Sequence, residues 1–275
     1  MDARLTRWED QDADHWRRVW GATAVHFFDR VTSTNDVAAD LAGAGAPHLT
    51  VVLAEEQTRG RGRGGTSWRA ERGASLLFSV LFRIQQHALA TGCAPVRAGL
   101  AVANAISRCA DVHAGVKWPN DVVFPGCGKV AGVLCEGTLA QEGAGYVIVG
   151  IGINVTQSAD AFTGDLRGRA CSILTATGAA VDRAALMTEV MSALRGFAGH
   201  ITQPLTDSEL QHIAERDVLR DRPIICDTGT GNTLVGVARG VARDGALRLE
   251  QSDGVSQVYN ATVRLADAHA YPGSA

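Results

Sequence analysis

Apolar runs recur along the first 155 residues of the chain, and they predict the strands of a sheet. The density of hydrophobic residues, highest in the second and third runs, indicates central positions in that sheet. The runs occupy residues 25–28, 50–54, 75–82, 115–124, 129–137 and 145–155. Short glycine-containing segments join the last three runs, so we predict that these are consecutive strands.

Helical patterns accompany these runs. Residues 95–109 and 183–199 each place apolar side chains along one face, with the spacing of an amphipathic helix. A shorter helix follows the N-cap-type residues 32–35. In the charged N-terminal segment, Trp16 and Trp20 are four residues apart, which predicts a short helix packed on the body of the protein. A partly ordered tail is the alternative for that segment.

After about residue 218 the pattern changes to short β runs separated by glycine turns. The pairs Asp244-Gly245 and Asp253-Gly254 lie between alternating apolar and polar residues, which is a strong hairpin signal. A segment of this kind predicts a small β-barrel module. We therefore predict an N-terminal extension at 1–24, a main domain at 25–217 and the β-module at 218–275.

Composition narrows the function classes. The chain has 275 residues, of which 46% are hydrophobic and 20% charged, as in an ordinary soluble globular protein. Its net charge of −3 gives no overall basic field that would hold nucleic acid. We find no apolar run long enough to span a membrane and no signal sequence, so we expect a cytoplasmic protein. The six cysteines and eight histidines lack metal-ligand spacing, so we expect reduced thiols and no structural zinc.

The segment 57–68, which we call the arginine loop, carries the clearest chemical signal. Arg59, Arg61 and Arg63 alternate with glycines between two predicted strands. Glycine lets a backbone approach a ligand closely, and guanidinium groups pair with carboxylate or phosphate. The loop therefore suits an anion that is enclosed after binding. An RNA-binding tract is the alternative, although such tracts are usually long, repetitive and disordered.

Three further polar sets interrupt apolar strands. They are the triplet Ser33-Thr34-Asn35, the segment 117–121 together with Lys129, and the segment 150–154 ending at Asn154. Each set has a structural explanation when taken alone. The triplet could simply cap a helix, the lysines could be solvated surface charges, and Asn154 could cap a strand.

Taken together and in this order, these sets resemble the biotin protein ligases. The motifs are Ser-Thr-Asn, the Gly-Arg-Gly-Arg loop closing on a tryptophan, Lys-Trp-Pro-Asn-Asp, a lysine before an Ala-Gly strand, and Gly-x-Gly-Ile-Asn. The resemblance covers about residues 25–265. It implies an α+β fold, with a class II synthetase-like mixed sheet flanked by helices and a C-terminal SH3-like barrel. The segment 259–263 departs from the family's usual Gly-Glu/Asp-Val turn.

The resemblance also implies an activity. Members of the family join biotin to a lysine of a carboxyl-carrier domain, through biotinyl-5′-AMP made from ATP. Some carry an N-terminal helix-turn-helix domain and repress transcription. Only about 25 residues precede the first strand here, so we expect a monofunctional ligase that does not bind DNA. We expect a monomer or weak homodimer, with the carrier domain of a biotin-dependent carboxylase as partner and no contact with a membrane.

Site residues follow from the matched motifs. The catalytic residues are expected to be Arg63, Lys129 and Asp121. Biotin is expected to contact Ser33, Thr34, Asn35, Gln57, Gly60, Arg61, Gly62, Arg63, Trp68, Lys129 and Gly132. ATP and the adenylate are expected to contact Arg61, Arg63, Lys117, Asn120, Asp121, Lys129 and Asn154. Asp121 and Asn154 are the expected Mg²⁺ ligands, and no tightly bound prosthetic group is expected.

Two other functions remain open at this point. A lipoate or octanoate ligase would also use a lysine and an acyl carrier. A non-catalytic biotin sensor would keep the pocket but would not need residues on the ATP side. Whether Asp121 binds metal or acts as a base is also open, as is a second lid at 157–170 over the adenine.

Overall fold

The computed structural model describes residues 3–85, 92–139, 144–229 and 231–266. The last nine residues of the predicted module at 218–275 lie outside these ranges. The strands are β1 (Ala3–Leu5), β2 (Arg7–Trp8), β3 (Gln11–Asp12), β4 (Ala24–Val31), β5 (Thr50–Gln57), β6 (Ser75–Gln85), β7 (Gly115–Lys117), β8 (Asp121–Phe124), β9 (Gly128–Leu139), β10 (Ala144–Asn154), β11 (Pro223–Asp227), β12 (Thr233–Val241), β13 (Leu247–Gln251), β14 (Gly254–Val258) and β15 (Thr262–Leu265). The α-helices are α1 (Ala13–Trp20), α2 (Thr34–Gly43), α3 (Cys93–Ala110), α4 (Ile173–Thr177), α5 (Arg183–Gly196) and α6 (Asp207–Arg216).

The larger sheet has eight strands in the order β1-β4-β5-β6-β10-β9-β8-β7. Strands β4 and β5 are parallel, whereas the other neighbouring pairs are antiparallel. Side chains alternate between the faces of β4, so Phe27 packs with α1, α3 and α5 while Phe28 packs with α2 on the opposite face. The predicted α+β fold, a mixed sheet flanked by helices, is confirmed.

The N-terminal residues are part of this structure. Strand β1 pairs with β4 at the edge of the sheet. Trp8, Trp16 and Trp20 are buried together against Phe27, with the rings of Trp16 and Trp20 stacked 4.9 Å apart. The three tryptophans of this segment therefore belong to the main hydrophobic core.

A second, five-stranded antiparallel sheet follows, in the order β14-β13-β12-β11-β15. Its core includes Ile224, Leu247 and Leu249, and it continues into α3 and into Trp118 of the main domain. The Trp118 indole donates a hydrogen bond of 2.9 Å to the carbonyl oxygen of Gly245. The C-terminal module is thus attached directly beside the Lys-Trp-Pro-Asn-Asp segment.

A buried arginine forms hydrogen bonds with the segment between α5 and α6 and with α6 itself. Arg97 on α3 is fully buried, and its guanidinium group donates to both carboxylate oxygens of Glu209 at 2.6 and 2.9 Å. It also donates to four backbone carbonyl groups between residues 200 and 204. Burial opposes ionisation of Glu209, but hydrogen bonds from Arg97 and Thr206 hold its pKa at about 2.

Two expectations from composition can be compared with the structure. All six cysteines, which lie within the described ranges, are free thiols. Burial raises the pKa of Cys135 and of Cys171 to about 12, so neither is poised to react as a thiolate. In the described part of the chain, no helix combines the length and apolar character needed to cross a membrane.

Candidate active site

The Ser-Thr-Asn triplet lies at the start of α2, where the chain leaves β4. Ser33, Thr34 and Asn35 are each less than 5% exposed. Ser33 has the extended backbone of an N-cap, but its hydroxyl makes no capping hydrogen bond. The triplet is therefore not explained by helix capping alone, and it lines a cleft between α2, the arginine loop, β9 and β10.

Gln57, at the end of β5, has one possible amide orientation. Its Oε1 atom accepts hydrogen bonds from the backbone N–H of Thr34 at 2.8 Å and from the Thr34 hydroxyl at 3.1 Å. A backbone N–H can only donate, so oxygen must face Thr34 and the Gln57 Nε2 group must face away from it. Within the described residues Nε2 has no hydrogen-bond acceptor. The cleft thus offers a donor at Gln57 and an acceptor lone pair at Thr34.

Two residues that we did not predict support the triplet. Ser79 on β6 is completely buried, and its hydroxyl lies 2.8 Å from Thr34 Oγ1 and 2.6 Å from Asn35 Oδ1. Glu136 on β9 accepts a hydrogen bond of 2.6 Å from Asn35 Nδ2. A Cβ atom at Gly150 would overlap the Asn35 amide, so glycine is required there. A lone serine inside an apolar run was the one sequence signal for Ser79.

The arginines of the loop have different environments. Arg61 forms ion pairs with Asp36 at 2.6 Å and with Glu136 at 3.1 Å, all with side chains about 40% exposed. Arg63 donates to the amide oxygen of Asn260 in the C-terminal module, and it forms no ion pair with the described residues. Burial lowers the pKa of Arg63, whereas the nearby charge of Asp121 opposes this shift. Arg63 is thus a partly desolvated cation that no ion pair within the described residues neutralises.

Both lysines of the chain lie at one end of the cleft. The Lys129 ammonium group is 2.6 Å from Asp121 Oδ1 and 5.5 Å from the centre of the Trp68 ring. Lys117 pairs across the β7–β8 ladder with Asp121. Burial lowers the pKa of Lys117; the charge of Asp121 opposes this, while the charges of Lys129 and Arg169 add to it. The other 24 of the 26 lysine and arginine residues are arginines, a bias that we did not use in the sequence analysis.

Trp68 closes the cleft. Its indole ring lies directly against Gly152 and Gly132, where any Cβ atom would overlap it or press on it. The indole N–H is buried and has no acceptor among the described residues. The remaining free volume is about 30 Å³, enough for about one water molecule. A larger ligand therefore requires Trp68 to move, and the loop glycines permit such a movement.

The structure brings most of the predicted residues together. The cleft is lined by Ser33, Thr34, Asn35, Gln57, Arg61, Gly62, Trp68, Asn120, Lys129 and Gly132. The predicted residues that do not line it are Gly60, Arg63, Lys117, Asp121 and Asn154. Gly60 is packed under the Trp68 carbonyl group, and Asp121 reaches the cleft through its ion pair with Lys129.

Comparison with known proteins agrees with this geometry. A model of the biotin/lipoate A/B protein ligase family matches residues 27–154. The biotin–[acetyl-CoA-carboxylase] ligase of Mycobacterium tuberculosis is 35% identical over 233 residues, which cover 81% of this chain and 82% of that protein. The bifunctional ligase/repressor BirA of Bacillus spizizenii is 31% identical over 238 residues, which cover 86% of this chain and 72% of that protein. The chain belongs to the biotin protein ligase family.

A solved structure of a family member shows the same fold. The Aquifex aeolicus biotin protein ligase, in complex with biotin and ATP, superposes with a TM-score of 0.72 and 24% sequence identity. The match covers 88% of this chain and 99% of that structure. This family membership makes the chain a ligase enzyme, and the cleft described above is its candidate active site.

The two residues that we predicted as magnesium ligands make other contacts in this structure. Asn154 donates through Nδ2 to the Cys171 carbonyl group at 3.0 Å, and its Oδ1 accepts from Gln157 at 3.0 Å. The carboxylate of Asp121 is already paired with Lys129. No cluster of three or more metal-binding side chains occurs in the described ranges. The described side chains therefore do not by themselves form a cage for a resident Mg²⁺ ion, which usually takes one or two carboxylates together with substrate phosphates, and we derive no step through one.

Proposed function

We propose that the chain joins biotin, through biotinyl-5′-AMP made from ATP, to a lysine of the carboxyl-carrier domain of a biotin-dependent carboxylase. Two relatives support the acceptor class: the proteins of M. tuberculosis and Paracoccus denitrificans are biotin–[acetyl-CoA-carboxylase] ligases. The A. aeolicus structure, which holds biotin and ATP, supports the substrates.

The hydrogen-bonding pattern at Thr34 and Gln57 is the observation that carries this proposal. A ureido group presents N–H donors beside a carbonyl acceptor, which complement the Thr34 lone pair and the Gln57 Nε2 donor. Lipoate and octanoate lack both groups at the end remote from the carboxylate. Binding either acid would leave these polar groups buried without partners, at a cost of about 1–3 kcal/mol each.

The opposite end of the cleft suits the adenylation step. Biotin carboxylate attacks the α-phosphate of ATP and displaces pyrophosphate, so the site must bring two anions together. A carboxylate needs no general base at neutral pH, because its pKa is far below 7. Lys129, Lys117 and Arg63 supply positive charge against the single carboxylate of Asp121. We assign Lys129 to the reacting oxygens and Arg63 to the phosphates.

The transfer step requires an unprotonated lysine from the carrier domain. The amine attacks the carbonyl carbon of the mixed anhydride, AMP leaves, and the amine loses a proton. We assign Asp121 to holding Lys129 in the free enzyme, because the two groups are 2.6 Å apart. Mg²⁺ enters the proposal only as the counter-ion of the ATP phosphates, and the carrier domain is the only macromolecular partner included.

The proposal is tested by exchange of labelled pyrophosphate into ATP, with biotin, lipoate or octanoate as the acid. We expect exchange with biotin alone, followed by a mass increase of one biotinyl group on an added carrier domain. Exchange with lipoate instead would move the chain to the lipoate branch of the family. Biotin binding without exchange would leave a biotin sensor and end the proposal.

A further inference from the structure

Glu136 contacts two parts of the active site at once. One carboxylate oxygen, Oε2, accepts from Asn35 Nδ2 at 2.6 Å, and both carboxylate oxygens accept from Arg61 at 3.1 and 3.2 Å. Asn35 is buried within the triplet, whereas Arg61 belongs to the arginine loop. Glu136 therefore joins the floor of the cleft to the loop that covers it.

On the buried side of this network there are two hydrogen-bond acceptors but only one donor proton to serve them. An ionised carboxylate can only accept, so Glu136 turns the Asn35 amide with Nδ2 outward and Oδ1 toward Ser79. Thr34 Oγ1 also faces Ser79, and its own proton is directed to Gln57. The single hydroxyl proton of Ser79 is thus shared between two acceptors, Thr34 Oγ1 and Asn35 Oδ1.

A ligand N–H removes this shortage. When such a group donates to the second lone pair of Thr34 Oγ1, that oxygen becomes a weaker acceptor for Ser79, and the Ser79 proton shifts toward Asn35 Oδ1. A full hydrogen bond at Asn35 Oδ1 polarises the amide and strengthens its donation to Glu136 through Nδ2. That bond fixes the Glu136 carboxylate in the position where it pairs with Arg61.

We infer that Glu136 is a positioning residue that couples occupancy of the ureido subsite to closure of the arginine loop. The inference rests on the proposed function, because it takes the ureido N–H of biotin as the donor to Thr34. Glu136 touches no reacting atom; it acts through Asn35 on one side and through Arg61 on the other.

Asp36 provides a matched control. Asp36 pairs with Arg61 at 2.6 Å, and Asp36→Asn removes one negative charge next to Arg61, as Glu136→Gln does. Unlike Glu136, however, the Asp36 side chain has no hydrogen bond to Asn35 or Ser79. The experiment measures biotin dissociation by stopped flow from the full chain. The variants are wild type, Glu136→Gln, Asp36→Asn, Ser79→Ala and the doubles Glu136→Gln/Ser79→Ala and Asp36→Asn/Ser79→Ala.

We expect Glu136→Gln and Asp36→Asn each to speed dissociation about fivefold, and Ser79→Ala to speed it about tenfold. The Glu136/Ser79 double should fall about fivefold or more below the product of its single effects. The Asp36/Ser79 double should equal that product within about twofold. If the Ser79→Ala variant is unstable, Ser79→Cys replaces it in the experiment, because a thiol keeps the branching of the side chain but is a weaker hydrogen-bond donor.

The inference would be overturned if both double variants had dissociation rates equal to the product of their single effects, or if both fell below that product by the same factor. In either case Glu136 would be no different from Asp36. A wild-type chain that binds no biotin would remove the proposed function itself. If the wild type binds biotin but the single effects simply multiply in both double variants, only the coupling through Glu136 is removed and the proposed function stands.

Discussion

Arg97 and Arg63 show two ways in which this chain removes a cation from water. Arg97 is fully buried but completely partnered, by the Glu209 carboxylate and by four backbone carbonyl groups. Arg63 is partly desolvated, and among the described residues its one hydrogen-bond acceptor is the neutral amide oxygen of Asn260. A buried charge is costly unless it is paired. The first arrangement therefore holds the fold, and the second leaves positive charge available for an anion.

The largest expected effect is on stability, at Arg97. Arg97→Met should lower the free energy of unfolding by about 4 kcal/mol, because it leaves Glu209 and several carbonyl groups without their donor. Urea denaturation measures this. The matched control is Arg108→Met, whose ion pair with Glu189 is mostly exposed and should change stability by less than about 1 kcal/mol. Equal effects of the two substitutions would contradict the distinction between a paired buried cation and a surface one.

Acid should weaken the ion pair between Arg97 and Glu209. Lowering the pKa of Glu209 from 4.5 to about 2 stabilises the folded state by about 3 kcal/mol when the group is ionised in both states. Because the folded pKa is the lower one, this contribution is present above about pH 4.5 and is lost as the pH falls toward 2. Unfolding measured from pH 6 to pH 2 should show this slope in the wild type but not in Glu209→Gln. Identical slopes would count against the ion pair.

At the active site, Lys129→Ala should reduce biotin-dependent pyrophosphate exchange by about 100-fold or more, or about 3 kcal/mol in the transition state. The lysine is partly exposed, with 31% of its side chain accessible, so the melting temperature should hardly change. The control measures both quantities on the same preparation. A variant that keeps the wild-type exchange rate would exclude Lys129 from the adenylation step.

The smallest expected effects separate Arg61 from Arg63. Arg63→Ala should lower the exchange rate at saturating biotin about 30-fold, because it removes a cation that is available to the phosphates. Arg61→Ala should leave that rate within about threefold but raise the KM for biotin about fivefold, because Asp36 and Glu136 already neutralise it. Steady-state exchange kinetics resolve the two parameters. The same pattern in both variants would remove the contrast drawn between these arginines.

Patterns along the chain were sufficient to predict the sheet and the motifs that surround the cleft. Ser33, Thr34, Gln57 and Lys129 occur in or beside short, strongly patterned segments, and the fold brings all four to one place. The sequence could not show which hydrogen bonds connect the side chains of the cleft. The acceptor at Thr34 follows from a glutamine 23 residues away, which only the tertiary structure reveals.

Other contacts were equally out of reach. Glu136 is one acidic residue in a strand, and nothing in its local sequence marks the bond to Asn35 that lies 101 positions away. Asn260 accepts a hydrogen bond from Arg63, which lies 197 positions away in the sequence. Asn154 is the converse case, because its motif points to a ligand role while its amide is bonded to Cys171 and Gln157. Hydrogen bonds between distant segments have no period for a pattern to detect.

The placement of both lysines beside Asp121, at the active site, has a consequence for the enzyme's own surface. An acyl-adenylate that escapes into solution acylates exposed primary amines, whereas guanidinium groups remain protonated and do not react with it. Of the 26 lysine and arginine side chains, the 24 other than Lys117 and Lys129 are guanidinium groups. Lys117 and Lys129 are therefore the two lysine amines that the chain offers to its own activated product, and a reagent that acylates lysine side chains would report on these two positions alone.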